Sequence, residues 1–149
     1  MRGIIALATV VLIAALGGVL RPGLSAQDMP PVRSVWNGVY TDEQSARGEA
    51  LYRQECASCH AEGGSGGEMA PPLSGGAFTS NWNGLTIGDL FERIRVTMPD
   101  DTRKLSRAQD ADVVAYMLSL NKFPAGKTPL NRETEILKQI RFEATRPQP

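Results

Sequence analysis

The sequence predicts an all-α domain of three to four helices joined by glycine-rich loops. Three observations carry this. Three segments place apolar residues at helical spacing, each opening on a capping residue. A glycine- and proline-rich stretch separates the first of them from the next. The first segment runs directly into Cys56-Ala57-Ser58-Cys59-His60. This C-x-x-C-H pattern attaches a haem covalently, so the helices are expected to wrap around one haem.

The first helix is expected over Thr41 to Cys56. Thr41 and Gln44 have capping-box spacing. Ala46, Ala50 and Leu51 form the expected apolar stripe, with Gly48 and Tyr52 beside it. Cys56 and Cys59 lie three residues apart and His60 four after Cys56, so helical geometry turns all three toward one side. The next segment, Gly63 to Gly76, holds Gly63, Gly64, Gly66, Gly67, Gly75 and Gly76 around Pro71-Pro72. It reads as a flexible loop, or as backbone passing close against a haem; with a haem present the two are compatible.

A further helix is expected from Thr86 to about Thr97, with Thr86 as N-cap, Asp89 at N3, and Ile87, Leu90, Phe91 and Ile94 carrying the apolar period. It stops at Met98-Pro99, because a residue before proline is pushed out of the helical region. Met98 is thereby placed on extended chain, free to point its thioether inward. The clearest helix spans Ser106 to Leu120. Ser106 and Gln109 make a capping box, Asp110 and Asp112 favour the N-terminal dipole, and Val113, Val114, Met117, Leu118 and Leu120 give a wide apolar face. Asn121 and Pro124 end it. Asn131 to Arg146 predicts a short helix with Ile136, Leu137 and Ile140 on one face.

Residues 1–26 read as an export signal. Arg2 is a short positive region, Ile4 to Leu20 is an uncharged and mostly apolar run, and Leu24-Ser25-Ala26 ends in a small residue suited to cleavage before Gln27. The rival is an uncleaved membrane anchor, since that run reaches the lower limit for a spanning helix, about 17 residues. The expected division is therefore signal or anchor at 1–26, an N-terminal extension at 27–40, the haem domain at 41–125, and a C-terminal extension at 126–149 with a disordered tail. The chain holds 16 basic and 16 acidic residues. Without Arg2 and Arg21 the balance is 14 against 16, a net of −2. That charge does not suit a nucleic-acid partner. Contact with a membrane is expected only if the N-terminal segment is retained.

The two cysteines and the one histidine of the chain all lie in the motif. A disulfide closed over two intervening residues would stabilise little. A thioredoxin-like redox pair needs a strand-to-helix setting, which is absent. A zinc site as a rule needs four ligands, and Cys56, Cys59 and His60 make three. Haem attachment remains, with His60 as one iron ligand. A second histidine ligand cannot come from this chain, so a methionine is the next choice. Met1 leaves with the signal, Met29 sits in a proline-flanked leader, and Met117 lies on a core-facing helix. Met98 is the favoured ligand and Met69 its main rival. A closed His/Met site suits one-electron transfer rather than catalysis. The competing readings are an enzyme or sensor whose methionine is displaced by peroxide or a gas, and a small subunit of a dehydrogenase complex. Arg103, Lys104 and Arg107 are candidate docking charges.

From about Trp36 to Leu130 these residues resemble class I c-type cytochromes. Gly48-x-x-x-Tyr52-x-x-x-Cys56 is similar to that family's N-terminal helix, and Val114-Ala115-Tyr116-Met117-Leu118 to its C-terminal helix. The resemblance implies a cytochrome c-like fold with one haem c, and a contact between these helices pairing Gly48 with Tyr116. It further implies that the Pro71 carbonyl accepts a hydrogen bond from His60, that Leu73 packs on the haem face, and that Trp82 donates to a propionate. Trp36-Asn37-Gly38-Val39-Tyr40-Thr41 and Asn121-x-Phe123-Pro124-Ala125-Gly126-Lys127 look like cytochromes associated with PQQ-dependent quinoprotein dehydrogenases. That likeness implies a periplasmic carrier of a respiratory chain. Its redox protein partners would be a dehydrogenase donor and an oxidase or other cytochrome acceptor.

Overall fold

The computed structural model describes residues 33–68, 70–99 and 105–148. The signal or anchor segment, Met29, Met69, Arg103 and Lys104 lie outside these residues. The described chain is mostly helical, as predicted. It runs β1 (Arg33–Ser34), α1 (Asp42–Glu55), α2 (Ala57–His60), α3 (Gly75–Trp82), α4 (Ile87–Thr97), α5 (Arg107–Leu120), α6 (Thr134–Leu137) and β2 (Ile140–Arg141). Among the described residues no helix is long and apolar enough to cross a membrane.

Local chemistry sets the helix boundaries. Thr86 and Asp89 form a reciprocal capping box at α4, and Ser106 and Gln109 form one at α5. At α1 only half of the expected box exists. The Thr41 hydroxyl accepts from the Gln44 backbone N–H at 3.2 Å, but the Gln44 amide is used elsewhere. Its Nε2 donates to the Leu130 carbonyl and its Oε1 accepts from the Leu130 N–H, at 3.1 and 2.6 Å. A buried amide satisfied on both sides clamps the segment after α5 onto α1.

The buried face of α1 differs from the expected stripe. Ala46 and Ala50 are exposed, while Gln44, Ser45, Gly48 and Tyr52 are buried. The reason is the closeness of α5. A Cβ on Gly48 would sit 1.8 Å from the Asp112 carbonyl oxygen and 2.9 Å from Tyr116 Cβ. The Tyr52 and Tyr116 rings meet 5.2 Å apart on the same side. The expected pairing of Gly48 with Tyr116 is thus present, and the helix is rotated to make it.

Helix α3 begins on Gly75 and Gly76, the last two residues of the segment expected as loop. Gly75-Gly76 carry little helix propensity, but the Gly75 N–H donates to Asn121 Oδ1 at 3.0 Å, a start supplied from the end of α5. The C-terminal helix is shorter than expected. It ends at Leu137, Ile136 is 46% exposed, and Ile140 is buried from a strand instead. That strand pairs in parallel with β1, Arg33 opposite Ile140 and Ser34 opposite Arg141. The two extensions therefore meet each other. Phe142, fully buried, packs against Phe123 and Phe78 with ring centroids 5.2 and 5.8 Å apart. The Trp36 indole N–H donates to the Glu143 carbonyl at 2.9 Å, and the Ala144 N–H donates to Asn83 Oδ1 at 2.9 Å.

Candidate haem site

The end of α1 delivers the motif. Cys56 closes α1 and α2 supplies one further turn, with the His60 N–H donating to the Cys56 carbonyl at 3.0 Å. Cys56 is half-buried, Cys59 exposed and His60 buried. All three line one cleft of about 470 Å³, within the roughly 300–1,000 Å³ usual for small-molecule sites. Pro71, Leu73, Trp82 and Met98 line it too. The cleft thus brings together every site residue expected from the sequence. Its wall is completed by Phe78, Leu90, Ile94, Val113 and Met117, which make it strongly apolar.

His60 is oriented by a hydrogen bond. Its Nδ1 lies 2.8 Å from the Pro71 carbonyl oxygen, the hydrogen bond that the resemblance implies. A carbonyl can only accept, so Nδ1 carries the proton and Nε2 keeps its lone pair for a metal. The glycine loop serves this contact indirectly. None of its six glycines is among the residues lining the cleft. Gly66 instead lies against the proline pair: with φ +74°, a Cβ there would come 2.5 Å from Pro72 N. The close backbone approach holds Pro71 in place. Gly64 receives N–H bonds from Leu73 and Ser74 at 2.8 and 3.0 Å.

Two supporting residues were not legible beforehand. Ala61, directly after His60, has φ 62° and ψ 160°, a region that side chains disfavour. The Tyr52 hydroxyl donates to its carbonyl at 2.9 Å, and the Gly64 N–H donates to it at 3.1 Å. Asn121 caps α5 and donates through Nδ2 to the Leu73 carbonyl at 3.0 Å, fixing the strand of chain that presents Leu73. Neither role has a local signal, because each partner is distant in sequence or set by a turn.

Met98 leaves α4 in extended conformation, φ −128° and ψ 146°, as the following proline demands. Its side chain packs partly buried against the core. Met117 is buried and also reaches the cleft, from α5. Trp82 is half-buried with its ring 6.2 Å from Phe78. Burial, then the nearby carboxylates Glu55 and Asp110, push the Cys56 thiol up to about 11. A redox or nucleophilic cysteine needs the opposite shift, so thiol–disulfide chemistry does not suit the pair. Among the described residues no cluster of three or more His, Cys, Asp or Glu could hold a metal by itself. An apolar cleft with two thiols, one oriented imidazole and a thioether fits a covalently attached iron porphyrin.

Arg107 is not a free docking charge. Its guanidinium lies over the Phe91 ring at 5.0 Å and donates to the Arg132 carbonyl and to Thr134 Oγ1 at 2.9 and 2.8 Å. It also faces Glu92 at 3.8 Å. The residue ties α4, α5 and α6 together.

A family model described as cytochrome C oxidase, cbb3-type, subunit III matches residues 43–117, half of the chain. No curated protein and no solved structure matches it. The matched span runs from the first turn of α1 to Met117 and contains the motif, the Pro71 segment and Met98. With the motif turn, the oriented histidine and the apolar cleft inside that span, the chain belongs to this family of c-type cytochromes: it is an all-α electron-transfer haem protein that carries haem c covalently.

Proposed function

We propose that the protein is a monohaem electron carrier with His60 and Met98 as the two iron ligands. Cys56 and Cys59 anchor the ring through thioether bonds. When bound, the haem supplies a one-electron couple with no open iron position. The observation that carries this reading is the His60 imidazole, its Nδ1 committed to Pro71, on the same cleft as Met98 and both cysteines. Pro71 fixes the imidazole plane. Leu73, Phe78, Ile94 and Val113 keep water from the iron and its ligands, which limits reorganisation on electron transfer. Ser58, Cys59 and Pro71 are exposed at the rim, which suits electron exchange through a partly open edge. Docking there would be brief and small, of the weak electron-transfer type.

Export by residues 1–26 and a periplasmic location belong to the same proposal. So do a quinoprotein dehydrogenase as donor and an oxidase or another cytochrome as acceptor. The −2 balance of the cleaved chain supports protein partners over nucleic acid. The test is an absorbance spectrum of the oxidised and reduced protein from a periplasmic fraction, repeated on Met98→Ala. The unsubstituted protein should show a thioether-linked, six-coordinate haem, and the variant should lose the methionine-to-iron charge-transfer band. Retention of that band would reassign the ligand to Met69 or Met117. Rapid carbon monoxide binding by the reduced, unsubstituted protein would favour a ligand-binding role. A second reading, a stable subunit of a larger complex, draws on the family's description as an oxidase subunit. Co-purification with a membrane enzyme would support it; isolation as a free periplasmic protein would not.

A further inference from the structure

The Pro71 carbonyl orients His60, yet neither Pro71 nor Pro72 has a backbone N–H with which to anchor it. Leu73 is the next residue along the chain that can donate, so the segment is pinned there. The Leu73 N–H donates to the Gly64 carbonyl at 2.8 Å. The Leu73 carbonyl accepts from Asn121 Nδ2 at 3.0 Å.

Asn121 closes α5 and is not among the residues lining the cleft. Its amide is spent entirely on backbone. Nδ2 also donates to the Met117 carbonyl at 2.8 Å, and Oδ1 accepts from the Gly75 N–H at 3.0 Å. Leu73 and Met117 line the cleft, and α3, which starts at Gly75, brings Phe78 and Trp82 to it. One amide thus ties three pieces of the cleft wall together. Leu120, in the same turn, lies against Gly64, where a Cβ would come 3.3 Å from its Cδ1. The end of α5 therefore holds Leu73 and also the Gly64 that accepts from it.

A helix C-terminus can satisfy its last carbonyls with water or with its own backbone. Two of the three Asn121 bonds instead cross to chain 46 and 48 residues away. We infer, resting on the His60 ligation proposed above, that Asn121 is a positioning residue for the imidazole that binds iron. It acts through Leu73 and Pro71. Keeping the Pro71 carbonyl on the Nδ1 proton fixes the imidazole plane and raises its basicity. A more basic imidazole favours the oxidised iron. Without the amide the carbonyl backs away, water reaches the Nδ1 proton, and the reduced iron gains.

The test compares the holoprotein with N121A, N121S and G48A. Two readouts are taken: solvent exchange of the His60 Nδ1 proton by NMR of the reduced protein, and the midpoint potential by titration. In N121A exchange should quicken about tenfold, as for the loss of one hydrogen bond, and the potential should rise. A serine hydroxyl can still serve the Met117 carbonyl one turn back but is too short for Leu73, so N121S should behave like N121A. G48A disturbs the α1–α5 contact away from the cleft and should move neither readout. Unchanged exchange in N121A or N121S overturns the inference, and so does an equal change in G48A, which would mean general loosening. Should N121A not retain haem, N121S decides by the same readouts. An unsubstituted protein without haem absorbance removes the proposed function and this inference together. One with haem but no methionine-to-iron band removes only Met98, and the Nδ1 proton still decides the role of Asn121.

Discussion

Gly48 shows how a single residue can matter through what it lacks. In an exposed helix interior, Gly→Ala gains about 1 kcal/mol of helix propensity. Here the added methyl would meet the Asp112 carbonyl at 1.8 Å, backbone that cannot swing aside. Overpacking of this kind costs roughly 1–3 kcal/mol, so Gly48→Ala should lower the urea midpoint rather than raise it. Ala61 is the converse. Its φ of 62° and ψ of 160° store about 1–3 kcal/mol in a non-glycine residue. Ala61→Gly relieves that strain and adds roughly 0.5–1 kcal/mol of unfolded-state entropy to be lost. The net expectation is a stabilisation of about 1 kcal/mol by chemical denaturation; a destabilised variant would contradict it. The side chains that form the site were legible at this scale because C-x-x-C-H and Met-Pro are local patterns. The Tyr52 hydroxyl and the Asn121 amide were not, since nothing in their neighbourhoods names Ala61 or Leu73 as partner.

Among the elements, α4, α5 and α6 are joined by a polar cluster centred on Glu92. Arg95 hydrogen bonds to its carboxylate from the next turn, Thr134 donates to it from α6, and Arg107 faces it from α5. These bonds, Arg95 first and Thr134 second, hold the Glu92 carboxyl at about 2, below its ordinary 4.5. The folded value is depressed, so the stabilisation is complete above about 4.5 and is lost as pH falls through about 2. The carboxylate is partly exposed, and solvent and salt screen much of the effect. Denaturation midpoints of the unsubstituted protein and Glu92→Gln should therefore differ at pH 7 and converge as pH approaches 2. A constant gap across that range would remove the carboxylate from the account. Helix ends were readable in advance wherever both halves of a cap lie within four residues, as at Thr86 and Ser106. The start of α3 was not, because its cap comes from Asn121.

At the scale of the whole molecule, the described segments that flank the helices, around Trp36 and around Phe142, are structural. An edge-on series of rings runs from Trp36 through Phe123 and Phe142 to Phe78, with centroid separations of 4.8, 5.2 and 5.8 Å. Phe78 then lines the haem cleft. The C-terminal extension thereby supports a wall of the site from behind. Removing a buried Phe costs roughly 3–5 kcal/mol, a large share of the stability of a small domain. Phe142→Ala should lower the melting temperature markedly and let the cleft wall relax. The methionine-to-iron band should then be lost at lower urea concentration than in the unsubstituted protein. A variant with unchanged melting and an unchanged band would show that the extension is only a cover.

The helices α1, α4 and α5, their caps at Thr41, Thr86 and Ser106, the haem-attaching motif and the release of Met98 by Pro99 were determined by the sequence alone. Each depends on groups within about one helical turn, where the chain's own geometry leaves few alternatives. Tertiary structure decided which face of α1 is buried, that Gly75–Trp82 is helical, and that Arg107 is spent inside the protein. It also decided that Leu137, Ile140 and Phe142 belong to the core. These outcomes depend on contacts between residues far apart in the chain, and a close approach such as Gly48 on Asp112 overrides a local apolar pattern as weak as Ala46 and Ala50.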